Sequence, residues 1–108
     1  MQSKLIVALL CSAGMLAAPL VAESAEVLFN PSAQSNGYDM DGNGVLHLWG
    51  VPEASGNALV ANPDYGWPTV SAIAAWYATL LKAQEMNLSV SVGYDPTTLD
   101  IWYVGKPR

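Results

Sequence analysis

Between Trp67 and Tyr103 the chain reads WPTVSAIAAWYATLLKAQEMNLSVSVGYDPTTLDIWY, a helical period followed at once by two alternating ones. The spacing predicts a helix over 68–86. Pro68 suits its first turn, where a missing N–H has no helical partner to lose, and Thr69 is the alternative N-cap. Val70, Ile73, Ala74, Tyr77, Leu80, Leu81 and Gln84 fall on one stripe with Trp76 at its edge, which reads as the core face. The opposite face, Ser71, Ala75, Ala78, Lys82 and Glu85, is small and uncharged until its last turn. Two readings fit it: a subunit contact, because small residues admit a second backbone, or an exposed helix that uses alanine for its propensity. Asn87 suits the left-handed position after the helix.

Beyond Asn87, Leu88, Val90, Val92 and Tyr94 alternate with Ser89, Ser91 and Gly93, the pattern of a half-buried strand. Asp95-Pro96-Thr97-Thr98 is a turn, and residues 99–104 return as a second strand, with 105–108 as a tail. Upstream of the helix the elements are short. Val27–Phe29, Val45–Trp49 and Ala58–Ala61 read as strands, separated by runs rich in Gly, Asn and Pro. Tyr38 to Asp41 reads as the approach to the Gly42-Asn43-Gly44 turn. The fold class expected is therefore α+β: about five short strands, with one helix before a C-terminal hairpin.

The first residues read as a targeting signal. Lys4 supplies a positive start, Leu5 opens an apolar run through Ala18, and small residues place cleavage after Ala22, with Ala18 and Ala25 as the alternatives. Residues 1–22 are thus expected to be a signal peptide and 23–108 a single exported domain, periplasmic or extracellular, without a membrane span. The one cysteine, Cys11, would leave with that signal, so the domain has no disulfide to staple it. Self-association is the economical substitute in so small a chain. The sequence carries nine acidic and four basic residues, a net charge of −5. Loss of Lys4 makes it more acidic still, which excludes nucleic acid as a partner, since that needs a basic face.

Few residues here carry chemistry. Asp39-Met40-Asp41-Gly42-Asn43-Gly44 matches the first half of a calcium loop, with Asp39, Asp41 and Asn43 as oxygen ligands before the turning glycine. The twelfth position is Gly50 instead of Glu, so it is not an EF-hand. Either Glu53 or Asp64 completes a looser calcium site, or the run is a plain hairpin turn. No other cofactor is implied. His47 is the only histidine; it falls mid-strand, with no second His or Cys for zinc. The serines lack a nucleophile-elbow pattern. No catalytic residue is assigned, and the chain reads as a non-enzyme: a binding module for a glycan or protein surface or, alternatively, a structural, assembly or inhibitory protein with no small ligand. The aromatic residues beside turns, Trp49, Tyr65 and Trp67, are the candidate ligand-binding residues, because a flat ring next to loop Asn and Asp suits a sugar; core packing is the alternative for each.

The stretches Trp67-Pro68, Trp76 to Ala83, Val90 to Asp95 and Ile101 to Val104 carry a resemblance of layout. The order resembles the B subunits of bacterial toxins built from one A and five B chains. That resemblance implies a small OB-like β-barrel with its helix between the third and fourth strands. It also implies a helix facing a central pore, a homo-oligomer, and a barrel face that recognises a glycan or protein surface. An OB-type barrel is compatible with oligosaccharide binding.

Overall fold

The computed structural model of the protein describes residues 24–107. The expected signal peptide and its cleavage site lie outside the described residues. The fold is α+β, with six strands and one helix in the order β1 (Ala25–Phe29), β2 (Gly37–Met40), β3 (Leu46–Trp49), β4 (Leu59–Ala61), α1 (Val70–Met86), β5 (Val90–Tyr94) and β6 (Ile101–Pro107). Two antiparallel sheets form, ordered β1-β5-β6 and β2-β3-β4. They meet at a parallel bridge between Val60 and Asp100, where the Val60 N–H donates to the Leu99 carbonyl at 2.9 Å. No pairing between β1 and β2 closes the described sheets into a barrel.

About five strands were expected and six are present among the described residues. The added one, β2, consists of Gly-Tyr-Asp-Met and has no alternation of its own. It forms because β3 offers an edge, pairing Tyr38 with Leu48 and Met40 with Leu46. The last strand also runs further than expected, with Pro107 paired to Val90, so 105–107 belong to the sheet.

Phe29, Leu46, Leu48, Leu59, Ile73, Leu80, Val90, Val92 and Ile101 are essentially sealed from solvent. At about 1.5–3 kcal/mol for each such side chain, this cluster is the main source of stability. The helix contributes Ile73, Trp76, Leu80 and Ala83 to it, packing chiefly on β6. That differs from the expected stripe. Val70 is 69% exposed and Leu81 47%, and Ala74 and Gln84 also face out. The helix is rolled so that Trp76, with the largest apolar area, lies under the core, and Ala83 lets the last turn approach the sheet.

Local signals set the helix ends. Thr69 is the N-cap, its Oγ1 accepting the Ala72 N–H at 3.1 Å; Pro68 precedes the helix, so the first-turn position expected for it is not used. Asn87 takes the left-handed conformation with φ 53°. The Leu88 N–H reaches back to the Ala83 carbonyl at 2.9 Å and the Asn87 N–H to that of Gln84 at 3.3 Å, the bonding of a Schellman motif. The segment 30–36 between β1 and β2 is tied to the same end: Ser32 Oγ donates to the Gln84 carbonyl at 2.8 Å, and Asn30 Nδ2 to Asn87 Oδ1 at 3.3 Å.

Candidate functional site

The β2–β3 hairpin is built by its turn. Asp41 Oδ1 accepts the N–H groups of Asn43 at 2.8 Å and Val45 at 3.1 Å, while the Gly44 N–H returns to the Asp41 carbonyl at 3.1 Å. Gly44 has φ 78°, which glycine adopts without a Cβ penalty. This turn fixes the register so that Asp39 lies opposite His47. In β3, Leu46 and Leu48 are buried, so His47 and Trp49 point outward.

Three outward side chains then converge. His47 Nδ1 lies 3.0 Å from Asp39 Oδ1, and Trp49 Nε1–H donates to Asp39 Oδ2 at 2.9 Å. The two rings are stacked, with centroids 6.1 Å apart and planes 19° from parallel. One carboxylate thus holds both polar edges and leaves ring surface to solvent, with Trp49 42% exposed. The arrangement is a pre-oriented aromatic platform on a rigid ladder. Such a surface binds flat apolar faces at low ordering cost.

The other expected residues are distributed differently. Of the expected calcium ligands, Asp39 is engaged by His47 and Trp49, and Asp41 by the backbone of its own turn. Among the described residues no group of three or more His, Cys, Asp or Glu is placed to hold a metal ion. Trp67 belongs to a second aromatic group at the helix start. Its ring meets Trp76 edge to face at 6.1 Å, and its Nε1–H donates to the Trp102 carbonyl at 3.0 Å. This covers part of an otherwise open strand edge. Tyr65, two residues before Trp67, ends a short 3₁₀ turn and is 71% exposed. The register separates these two groups. Trp49 lies at the β3 end where Leu48 pairs with Leu59, whereas the chain leaves β4 beside Leu46 on its way to Trp67.

Ser71, Ala75 and Ala78 are exposed on α1, as expected of the bare face. Next to them a shallow, open depression is lined by Ala78, Leu81, Lys82, Gln84 and Glu85, all from one helix. It is remote in character from the aromatic platform, having no ring and no rigid donor or acceptor pair. Close by, Tyr38 joins β2 to the helix: its OH donates to Gln84 Oε1 and its ring meets Tyr77 edge to face at 5.7 Å. Burial, and then the neighbouring Tyr77, hold the Tyr38 phenol above its ordinary value of 10.0.

Reasoning from sequence missed the platform as a unit. Asp39 reads as a metal ligand and His47 as a bland strand residue until the hairpin register places them opposite each other. The i, i+2 spacing of His47 and Trp49 was the available signal. No helix among the described residues is long and apolar enough to cross a membrane. No protein-family model, curated protein or solved structure matches this chain.

Proposed function

We propose that this protein is an exported, non-enzymatic recognition module that holds a glycan or protein surface against the outward face of β2 and β3. The observation that carries the reading is the shared carboxylate of Asp39, which orients His47 and Trp49 together. Core packing does not account for that arrangement, since all three side chains project away from the core.

The strand order supports an OB-like barrel as the underlying plan. Taken as one strand broken at 30–36, β1 and β2 would pair with β5 at one end and β3 at the other. The order then runs β3, β4, β6, β5 and back to the broken strand, with α1 between β4 and β5 and a parallel contact between β4 and β6. That is how a five-stranded Greek-key barrel of this type closes, and its ligand face is the second and third strands, here β3 and β4. His47 and Trp49 lie on the first of those two strands, with Asp39 beside them on β2. Self-association through the outer side of α1 belongs to the same reading, since Val70 and Leu81 extend the bare face of Ser71, Ala75 and Ala78 with exposed apolar surface.

Tryptophan fluorescence across a broad glycan panel tests the function. A saturable change that disappears in Trp49→Ala supports it. A chain that ignores every glycan and captures no glycoprotein surface is not a recognition module of this kind. Light scattering tests the helix face: a monomer at all concentrations removes self-association.

A further inference from the structure

We infer that the Asp39–His47–Trp49 platform takes a neutral saccharide, and that His47 Nε2 accepts a hydrogen bond from one of its hydroxyls while Trp49 carries its apolar face. The inference rests on the recognition reading above and gives its ligand a chemical class. A carboxylate only accepts hydrogen bonds. With Asp39 Oδ1 at 3.0 Å, His47 Nδ1 must therefore carry the proton, and in the neutral ring Nε2 is left as an acceptor. Nε2 has no partner among the described residues, and the His47 side chain is 24% exposed. Trp49 has spent its one donor on the same carboxylate. The platform therefore offers an apolar indole surface beside a bare acceptor, with no donor aimed outward. A ligand that matches it must present a C–H face and, next to it, an O–H donor. A pyranose ring does both, its C–H face meeting the exposed indole of Trp49 while a neighbouring hydroxyl reaches His47 Nε2.

Charge selects among sugars. Asp39 lies within the platform, and the chain as a whole carries −5. Among the described side chains the Lys or Arg cation is Lys82, which pairs with Glu85 on the helix at 3.6 Å. An acidic sugar would bring its carboxylate to a site that has an anion and, among the described side chains, no compensating cation. Neutral hexoses avoid that cost.

The test uses the full chain at mildly alkaline pH. Long-range proton–nitrogen correlation spectra read the His47 tautomer, and tryptophan fluorescence reads binding. The probes are methyl glycosides of glucose, galactose and mannose, set against glucuronic and N-acetylneuraminic acids. The expected results are an Nδ1–H tautomer in the free protein and a shift of the Nε2 resonance with at least one neutral glycoside. The acids should bind at least about tenfold more weakly, a difference of about 1.4 kcal/mol. His47→Phe keeps a ring but loses the acceptor and should weaken binding by a similar factor; His47→Gln, whose amide oxygen can accept, should restore part of it. An Nε2–H tautomer, acids that bind as well as neutral sugars, or unchanged binding in His47→Phe would overturn this inference and leave the recognition reading standing. If no sugar of either class perturbs Trp49, glycan recognition itself is refuted.

Discussion

The ring of Tyr103 lies against the backbone of Gly93, so close that a Cβ there would stand 2.2 Å from its Cε1 atom. The two residues are directly paired across β5 and β6. The Tyr103 hydroxyl continues over β5 to donate to Glu26 on β1, so one side chain straps three strands. Gly93→Ala would push this strap aside. Tyr103 is half exposed and able to swing out, so the loss is the hydrogen bond and ring contact, about 1–2 kcal/mol, partly offset by the better strand propensity of alanine. Urea unfolding should show a modest fall in midpoint with the slope unchanged.

Gly50 obeys a harsher constraint. It has φ 82°, and a Cβ there would lie 2.0 Å from the Ser35 carbonyl oxygen. The obstacle is backbone, held in the segment that Asn30 and Ser32 fasten to the helix end. Gly50→Ala should cost on the order of 3 kcal/mol or more, because left-handed strain adds to a clash that no side-chain rotation relieves. The same denaturation experiment should rank it well below Gly93→Ala.

The Asp41 carboxylate closes its own hairpin turn by accepting two backbone N–H groups. Asp41→Asn keeps an acceptor and should be close to neutral; Asp41→Ala should cost about 1 kcal/mol. Since Asp39 and Asp41 already have protein donors, millimolar calcium or a chelator should leave the melting temperature unchanged. A calcium site saturated a hundredfold would add about 2.7 kcal/mol, a shift of several degrees that calorimetry would register at once.

Alkaline pH should weaken the contact between β2 and the helix. The Tyr38 phenol is held above 10.0 in the folded chain, first by burial and then by Tyr77. The folded state therefore keeps a proton that the unfolded state releases. The associated stability is fully present below the unfolded value and is lost as pH rises from there through the folded value. Tyrosinate absorbance should show one of the tyrosines titrating late, and Tyr38→Phe should remove that late component together with the bond to Gln84.

What proved legible in the sequence was local. Thr69 and Asn87 mark the helix ends because a cap needs only its own side chain or its own φ. Asp95 is equally self-contained: its Oδ1 accepts the Thr97 N–H at 2.8 Å inside the turn it initiates. The α+β class and the alternating strand β3 follow from periodicity in the same way, since burying one face of a strand or helix requires it; β5 was legible as a strand but not as a half-buried one, because it lies between β1 and β6 with all five residues buried.

Contacts between distant residues were decided by tertiary structure. The roll of α1 depends on which side chains bury the most apolar area, and Trp76 together with Ile73, Leu80 and Ala83 outweighs the stripe through Val70 and Leu81. Strand β2 exists because β3 supplies its hydrogen bonds, not because Gly-Tyr-Asp-Met favours an extended chain. The platform is the clearest case. Asp39, His47 and Trp49 are separate polar and aromatic residues in the sequence, and a register one residue different would send Asp39 to the other face of the sheet. The residues fix what each side chain can donate, accept or stack on; the pairing of β2 with β3 fixes that they do so on one another.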